Sequence, residues 1–412
     1  MIHSIPTKAD PCETAIGCSL LHRLTASKKD RSKEQAIAVV SERYTGPSRV
    51  FPKFEHPFPC YKGEPLLMRE TPAAEGILFQ RPHKTGSTTM VGIVLRLVHN
   101  RAKIHLEGGE IDKCKHRAMH GVAKQYQYGQ RDRTKSFLFS IIRDPTARMI
   151  SQFFHFDVTA YQKEPTDHNF LSMARGSHFN YYLSELSTRH YVPNGTVISD
   201  LDFAKSVGFE TERDLRSAMR SPKPGPTQLL RRQRLASNEF GLKYDPNKIV
   251  QDILDDYDFI AIMERMDESL VVFQMLLGLT TKEILYTRAR SSGTFSNGWH
   301  GRPCIFIMKS FLTPDMKAYF ESEEWKLTVA NDILMYQAAN KSLDRTIASL
   351  DPVEFQKNMA ALRRGLKLAA ESCKGKVRPI CTDGGVEIPA PNRTCYIWSE
   401  GCDHHCIDEV EF

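Results

Sequence analysis

Gly76-Ile-Leu-Phe-Gln80, Arg81-Pro-His-Lys-Thr-Gly-Ser-Thr-Thr89 and Thr89-Met-Val-Gly-Ile-Val-Leu-Arg-Leu-Val-His99 follow one another as an apolar run, a polar turn and a second apolar stretch. The first reads as a buried strand and the last as a mostly buried helix. A Gly/Ser/Thr-rich turn between them presents backbone N–H groups and the positive end of a helix dipole, which together suit an anion. Gly86 has no Cβ, so the backbone there can approach a ligand closely. Ser87, Thr88 and Thr89 can each add a hydroxyl donor, and Lys84 adds a mobile positive charge. The turn is not an ATP-binding Gly-x-x-x-x-Gly-Lys-[Ser/Thr] loop, because Lys84 precedes Gly86 instead of following it.

The same plan recurs downstream. Ser136-Phe-Leu-Phe-Ser-Ile-Ile142 predicts a strand, Arg143-Asp-Pro145 a turn, and Thr146 to His155 a helix whose first turn tolerates Pro145. Tyr257-Asp-Phe-Ile-Ala-Ile-Met263 predicts a third strand, and Asp267-Glu-Ser-Leu270 opens a helix that runs to Leu277. Nearly continuous apolar strands alternating with helices predict an α/β fold, a P-loop-like central parallel sheet flanked by helices, with ligands at the carboxyl ends of its strands. Residues 1–70 read as an irregular N-terminal segment in which 51–59, rich in Phe and Pro, forms an extended strap on the domain surface. Residues 71–370 form the main domain, helical from 314 onward, and 371–412 a cysteine-rich tail. An insertion at about 160–250, with the breaker-rich Ser221-Pro-Lys-Pro-Gly-Pro226, is assigned to acceptor binding or to packing.

The 412 residues carry a formal net charge of +7 and no stretch near the roughly 20 apolar residues that span a bilayer. A mild basic excess suits a solvated surface or attraction of anionic ligands. No finger, zipper or RNA-recognition pattern points to nucleic acid. Asp10 and Glu13 interrupt the place where a signal peptide would need its apolar core, so the expectation is either a soluble, cytoplasmic chain or a membrane anchor that is not in this sequence. Of ten cysteines, Cys373, Cys381, Cys395, Cys402 and Cys406 crowd the tail, and Cys12, Cys18 and Cys60 precede the first strong strand. That distribution predicts disulfides made in an oxidising lumen. Zinc at Cys402-Asp-His-His-Cys406 is the competing reading, weakened by the lack of a Cys-x-x-Cys pair. Asn194, Asn340 and Asn392 stand in glycosylation sequons.

Pro82-His-Lys-Thr-Gly-Ser-Thr-Thr89 after a strand resembles the 5′-phosphosulfate loop of the membrane-associated carbohydrate sulfotransferases, with the galactose-3-O-sulfotransferases and the heparan sulfate uronyl 2-O-sulfotransferases as the most similar groups. Ser140-Ile-Ile-Arg143-Asp-Pro-Thr-Ala-Arg148-Met-Ile-Ser151 is similar to that family's 3′-phosphate motif. The resemblance implies that Lys84, Thr85, Gly86, Ser87, Thr88, Thr89, Arg143 and Ser151 bind 3′-phosphoadenosine 5′-phosphosulfate as co-substrate. It also implies a carbohydrate or glycolipid acceptor and suggests a Golgi lumenal location, and no metal is required where Lys, Arg and backbone donors neutralise the transferred group. Arg143 offers a planar fork suited to phosphate. Sulfuryl transfer needs a cation at the departing oxygen, for which Lys84 serves, and a base, for which His120 is favoured because imidazole titrates near neutrality. His120-Gly121 resembles the His-Gly-His of the uronyl enzymes, except that Val122 stands in place of the second His. His116, His155 and Glu264 are the reserves, and His83 is read as shaping the loop. Glu264, in a segment similar to the family's downstream strand and acidic turn, either organises the pocket through an ion pair or touches substrate. The basic, Gly-rich segment 287–300 is read as a lid carrying Arg288 or Arg290 to an anionic group. A P-loop nucleotide-dependent kinase and an inactive glycan-binding protein of the same fold are the alternatives. The first predicts a Gly-Lys-[Ser/Thr] loop ending, and the second donor binding without turnover.

Overall fold

The computed structural model describes residues 44–59, 61–62, 75–107, 112–113, 116–176, 181–191, 197–198, 245–287, 292–297, 303–376, 381–389 and 405–411. Residues 46–412 form one compact unit. The first strand of its central sheet, β1 (Gly76–Gln80), is buried along its whole length and feeds through the 81–86 turn into α1 (Ser87–Glu107). Then come β2 (His116–Met119) and β3 (Ser136–Ile142), the latter also buried throughout, followed by α2 (Pro145–Gln152). Asp144 caps α2 by accepting from the Ala147 N–H, and Pro145 occupies the first turn as expected. The segment read as the rest of that helix is instead a π-helix, Phe153–Ala160.

Next are α3 (Asp167–Gly176), α4 (Tyr181–Leu186), α5 (Pro246–Asp256), β4 (Phe259–Ile262) and α6 (Met266–Leu277). A short antiparallel hairpin, β5 (Phe295–Asn297) with β6 (Cys304–Phe306), precedes four helices: α7 (Pro314–Glu321), α8 (Glu323–Thr328), α9 (Ala330–Ser349) and α10 (Pro352–Ser372).

The central sheet has the order β2-β1-β3-β4, and every pairing is parallel. The chain passes from β1 to a neighbour on one side, then crosses to β3 on the other. The carboxyl end of β1 is therefore the point where the winding reverses, and a crevice opens there. Aromatic rings fill the sheet's core: Phe79 stacks on Phe139 at 4.5 Å, and Phe273 of α6 meets Phe137, Phe139 and Phe259. A second core joins α2, the π-helix, α3, α7 and α8 through Met149, Phe153, Phe170, Met316 and Trp325.

The 51–59 strap is extended, but it does not merely lie on the surface. Phe51 is 1% exposed, edge-on to Phe259, and its N–H donates to the Thr346 hydroxyl at 2.9 Å. Disulfides join Cys304 of β6 to Cys381, and Cys373 at the end of α10 to Cys406. The second bond removes Cys406 from any zinc site. Asn340 is buried in α9 and bonded to the Tyr336 carbonyl, so that sequon is closed to a glycan in the folded chain. The sequons at 194 and 392 and the segment 221–226 lie outside the described residues. Among the described residues no helix is long and apolar enough to cross a membrane.

Candidate functional site

Four turns leave the carboxyl ends of the four parallel strands side by side: His120-Gly121 after β2, 81–86 after β1, Arg143-Asp144 after β3 and Met263–Arg265 after β4. The sheet thus brings residues up to about 180 positions apart in sequence to one edge, at the winding reversal where α/β ligands sit.

The central turn is shaped by two residues with left-handed backbone, Lys84 at φ 66° and Gly86 at φ 78°. A lysine in that region is uncommon and costs of order 1–2 kcal/mol, a strain that collects at functional sites. A side chain at Gly86 would crowd Met263, whose Cγ and Sδ lie 3.3 Å from an added Cβ. Thr85 is fully buried and its hydroxyl donates to the Pro82 carbonyl at 2.9 Å. Its side chain therefore braces the turn, and only its backbone can serve an anion, which narrows the role expected of it. Ser87 opens α1 and is buried, whereas Thr88 and Thr89 are half-buried. Thr89 faces a small cavity shared with Arg96, Leu285 and Thr287.

His83 does more than shape the loop. Its ring stacks on His120 with centroids 4.1 Å apart and planes within 5°. Burial, then the positive charges of Arg148, Arg81 and Lys84, pull the His83 pKa down to about 4, so this ring is neutral at physiological pH. His120 is exposed, with Nδ1 2.7 Å from the Arg81 carbonyl oxygen. A carbonyl only accepts, so Nδ1 carries the proton and the lone pair of the neutral ring sits on Nε2. The turn that bears His120 is held on several sides. Tyr126 donates to the His120 carbonyl at 2.5 Å, the Gln80 amide donates to the Gly121 carbonyl, and the Gly121 N–H faces the Glu185 carboxylate, favouring its charged form.

Arg143 lies between two turns. Its guanidinium donates to the Lys84 carbonyl at 3.4 Å and is 3.7 Å from the Glu264 carboxylate. Glu264 also accepts from the Asp144 N–H at 3.2 Å and the Tyr336 hydroxyl at 3.1 Å, and burial pushes its pKa up. Of the two roles considered for Glu264, the geometry favours organising the pocket. Ser151 is half-buried in the last turn of α2, eight residues beyond Arg143. His155, a reserve base, is buried in the π-helix, whose next residue, Phe156, meets the His83 ring edge-on at 5.4 Å. Arg288 and Arg290 lie outside the described residues.

Several residues at this edge escape sequence reasoning. The Tyr181 hydroxyl accepts from the His83 N–H at 2.7 Å, and the Tyr182 hydroxyl holds both backbone groups of Arg143. Asp332 of α9 accepts from the N–H groups of both tyrosines. Arg148 is 2% exposed, with its guanidinium 3.8 Å over the Tyr181 ring. A signal for Arg148 exists, since it stands inside the motif that runs from Arg143 to Ser151. The tyrosine doublet and Asp332 carry none.

The turn with left-handed backbone at Lys84 and Gly86 thus lies beside an arginine at the next strand end, an arrangement that suits an anion. Residues 72–192 match the Sulfotransferase family. The matched segment is less than a third of the chain and contains the 81–86 turn, His120, Arg143, Ser151 and α4, while Glu264 and Asp332 lie beyond it. It supports sulfuryl transfer as the reaction class, with a sulfuryl donor as substrate. No curated protein and no solved structure matches the chain.

Proposed function

We propose that the protein transfers a sulfuryl group from 3′-phosphoadenosine 5′-phosphosulfate to a hydroxyl of a carbohydrate, on a glycan or glycolipid. The observation that carries this reading is the left-handed turn at Lys84 and Gly86, joined to Arg143 on the adjacent strand inside the sulfotransferase-matched segment. Two anion-binding elements of different chemistry, a backbone cradle and a planar guanidinium, suit a ligand with phosphates at both ends of a nucleoside. When bound, the donor supplies a sulfur bonded to a good leaving oxygen on its 5′-phosphate.

The chain's residues then perform positioning and electrostatic work. His120 takes the acceptor hydroxyl's proton on Nε2 as the hydroxyl oxygen bonds to sulfur. Its Nδ1–H remains on the Arg81 carbonyl, which stabilises the imidazolium so formed. Neutral His83 beneath it adds no opposing charge. Lys84 and the N–H groups of the turn neutralise the charge that grows on the departing phosphate oxygen. Glu264 keeps Arg143 aimed, and Arg143 with Ser151 serves the 3′-phosphate. The disulfides Cys304–Cys381 and Cys373–Cys406 suit an oxidising compartment such as the Golgi lumen.

The test is incubation with donor carrying radiolabelled sulfur and a panel of glycans, glycolipids and small alcohols, for wild type and Lys84→Ala, with calorimetric titration of donor product. Label transfer by wild type, reduced roughly 10²-fold or more in Lys84→Ala, is expected. No transfer and no nucleotide binding would remove the proposal. Transfer of a labelled ATP γ-phosphate instead would favour the kinase reading, and nucleotide binding without turnover the inactive one.

A further inference from the structure

α4 spans one and a half turns, yet three of its side chains reach three of the four turns at the sheet edge. The Tyr181 hydroxyl accepts from the His83 N–H at 2.7 Å. The Tyr182 hydroxyl accepts from the Arg143 N–H at 3.0 Å and donates to the Arg143 carbonyl at 2.5 Å. The Glu185 carboxylate faces the Gly121 N–H, whose dipole favours its charged form. Tyr182 is buried and Tyr181 half-buried, and burial holds both phenols well above their ordinary pKa, so each keeps its proton, which Tyr182 donates to the Arg143 carbonyl.

The helix is itself fixed at both ends. Asp332 of α9 accepts from the N–H groups of Tyr182 at 2.7 Å and Tyr181 at 3.2 Å, and the Tyr257 hydroxyl donates to the Leu186 carbonyl at 3.0 Å. The direct link between the two turns, Arg143 to the Lys84 carbonyl, is 3.4 Å and falls outside good hydrogen-bond geometry, whereas the tyrosine bonds lie within it. The β1–β3 pairing sets how far apart the turns start, and beyond the strand ends α4 holds them more firmly than their own contact does.

We infer that α4 is a bracket fixing the distance between the 5′-phosphosulfate turn and the 3′-phosphate turn, with Tyr181 and Tyr182 as positioning residues, one for each subsite. The inference rests on the donor proposed above and adds to it the residues that set recognition of both ends of the nucleotide. Tyr182 grips the backbone at both sides of Arg143. Losing its hydroxyl leaves a strand-end N–H and carbonyl without this partner, and they move to find others. The guanidinium moves with them. The Tyr181 hydroxyl acts only on the 81–86 turn, and the ring under Arg148 is kept by phenylalanine.

Titrating adenosine 3′,5′-bisphosphate and adenosine 5′-monophosphate into wild type, Tyr181→Phe, Tyr182→Phe and Ser184→Ala separates the subsites. The phenylalanines keep ring packing, and Ser184→Ala controls for any change on this helix. Wild type and Ser184→Ala prefer the bisphosphate. Tyr182→Phe shrinks that preference roughly tenfold by weakening the bisphosphate while leaving the monophosphate within about twofold, the scale of one charged hydrogen bond lost. Tyr181→Phe weakens both nucleotides alike and keeps their ratio. A general loss of folding would not divide the two ligands in this way. Thermal unfolding of each variant checks its fold. Should Tyr182→Phe not fold, Asp332→Asn, which loosens the start of the helix, is expected to weaken both ligands and shrink the preference. Wild type that binds neither nucleotide overturns the donor reading and the bracket with it. A normal wild-type preference with an unchanged ratio in Tyr182→Phe, or in Asp332→Asn used in its place, overturns the bracket alone.

Discussion

Gly86→Ala tests whether the 81–86 turn holds an anion, and Gly278→Ala calibrates it. Both glycines have left-handed backbone, Gly86 at φ 78° and Gly278 at φ 63°. Gly278 ends α6, and an added Cβ there meets nothing within 4 Å. Its substitution therefore reports backbone strain alone, about 1–2 kcal/mol. At Gly86 the same strain is joined by crowding against Met263 Cγ and Sδ at 3.3 Å and Met266 Cε at 3.4 Å. Methionine adapts readily, so that crowding adds only about 0.5–1 kcal/mol. The two variants should thus differ little in denaturant unfolding. They should differ much in binding. Met263 leads directly into Glu264, the partner of Arg143, and the new methyl also narrows the approach of the turn's backbone to a phosphate. Calorimetry should show Gly278→Ala binding adenosine 3′,5′-bisphosphate like wild type and Gly86→Ala binding at least about tenfold more weakly, one charged hydrogen bond's worth. If Gly86→Ala binds like wild type, the turn does not cradle the phosphate and the site lies elsewhere.

His120→Asn should lower kcat by roughly 10²–10⁴ with nucleotide affinity kept, the usual scale for a general base; a fall in affinity with unchanged kcat would reassign it to binding. Burial raises the Glu185 carboxyl to about 7 against an ordinary 4.5. A raised carboxyl contributes stability that is present below about 4.5 and lost as pH rises through about 7. Relative to wild type, Glu185→Gln should therefore gain about 2–3 kcal/mol between pH 5 and pH 8 in denaturant unfolding. Parallel pH curves would show that this carboxylate is solvated. The Cys373–Cys406 disulfide closes a 33-residue separation and should contribute about 3–4 kcal/mol by loop entropy. Cys304–Cys381, at 77 residues, should contribute about 4–5 kcal/mol. Unfolding midpoints unmoved by reductant would show that neither bond forms.

The sheet was legible wherever strands are buried on both faces. Phe137 to Ile142 and Phe259 to Ile262 leave no polar alternation to misread, and Pro145 marks the start of α2. β2 was missed because His116-Arg-Ala-Met119 has the composition of a loop and becomes a strand only by pairing with β1. The turn at 81–86 was legible because glycine, hydroxyls and lysine between a strand and a helix have few other uses. The organisation behind it was not. Tyr181, Tyr182, Glu185 and Asp332 act on backbone groups 39 to 151 residues away, and nothing local to a six-residue helix reveals a partner at that distance. Part of the stretch assigned to acceptor binding or packing thus bears directly on the turns meant for the donor. The stacking of His83 on His120 was hidden for the same reason, since β1 and β2 had to be neighbours first.

The π-helix has a consequence at the level of the gene. Each turn from Phe153 to Ala160 holds more residues than an α-turn, and this spacing lets Phe156 meet the edge of His83 while Asp157 faces Lys163. An in-frame loss of one codon here would be a small edit, relaxing the helix toward ordinary α-geometry. It would also rotate the side chains that follow by about 100° relative to Arg143 and Ser151. In this stretch the number of residues, as much as their chemical nature, keeps Phe156 edge-on to His83.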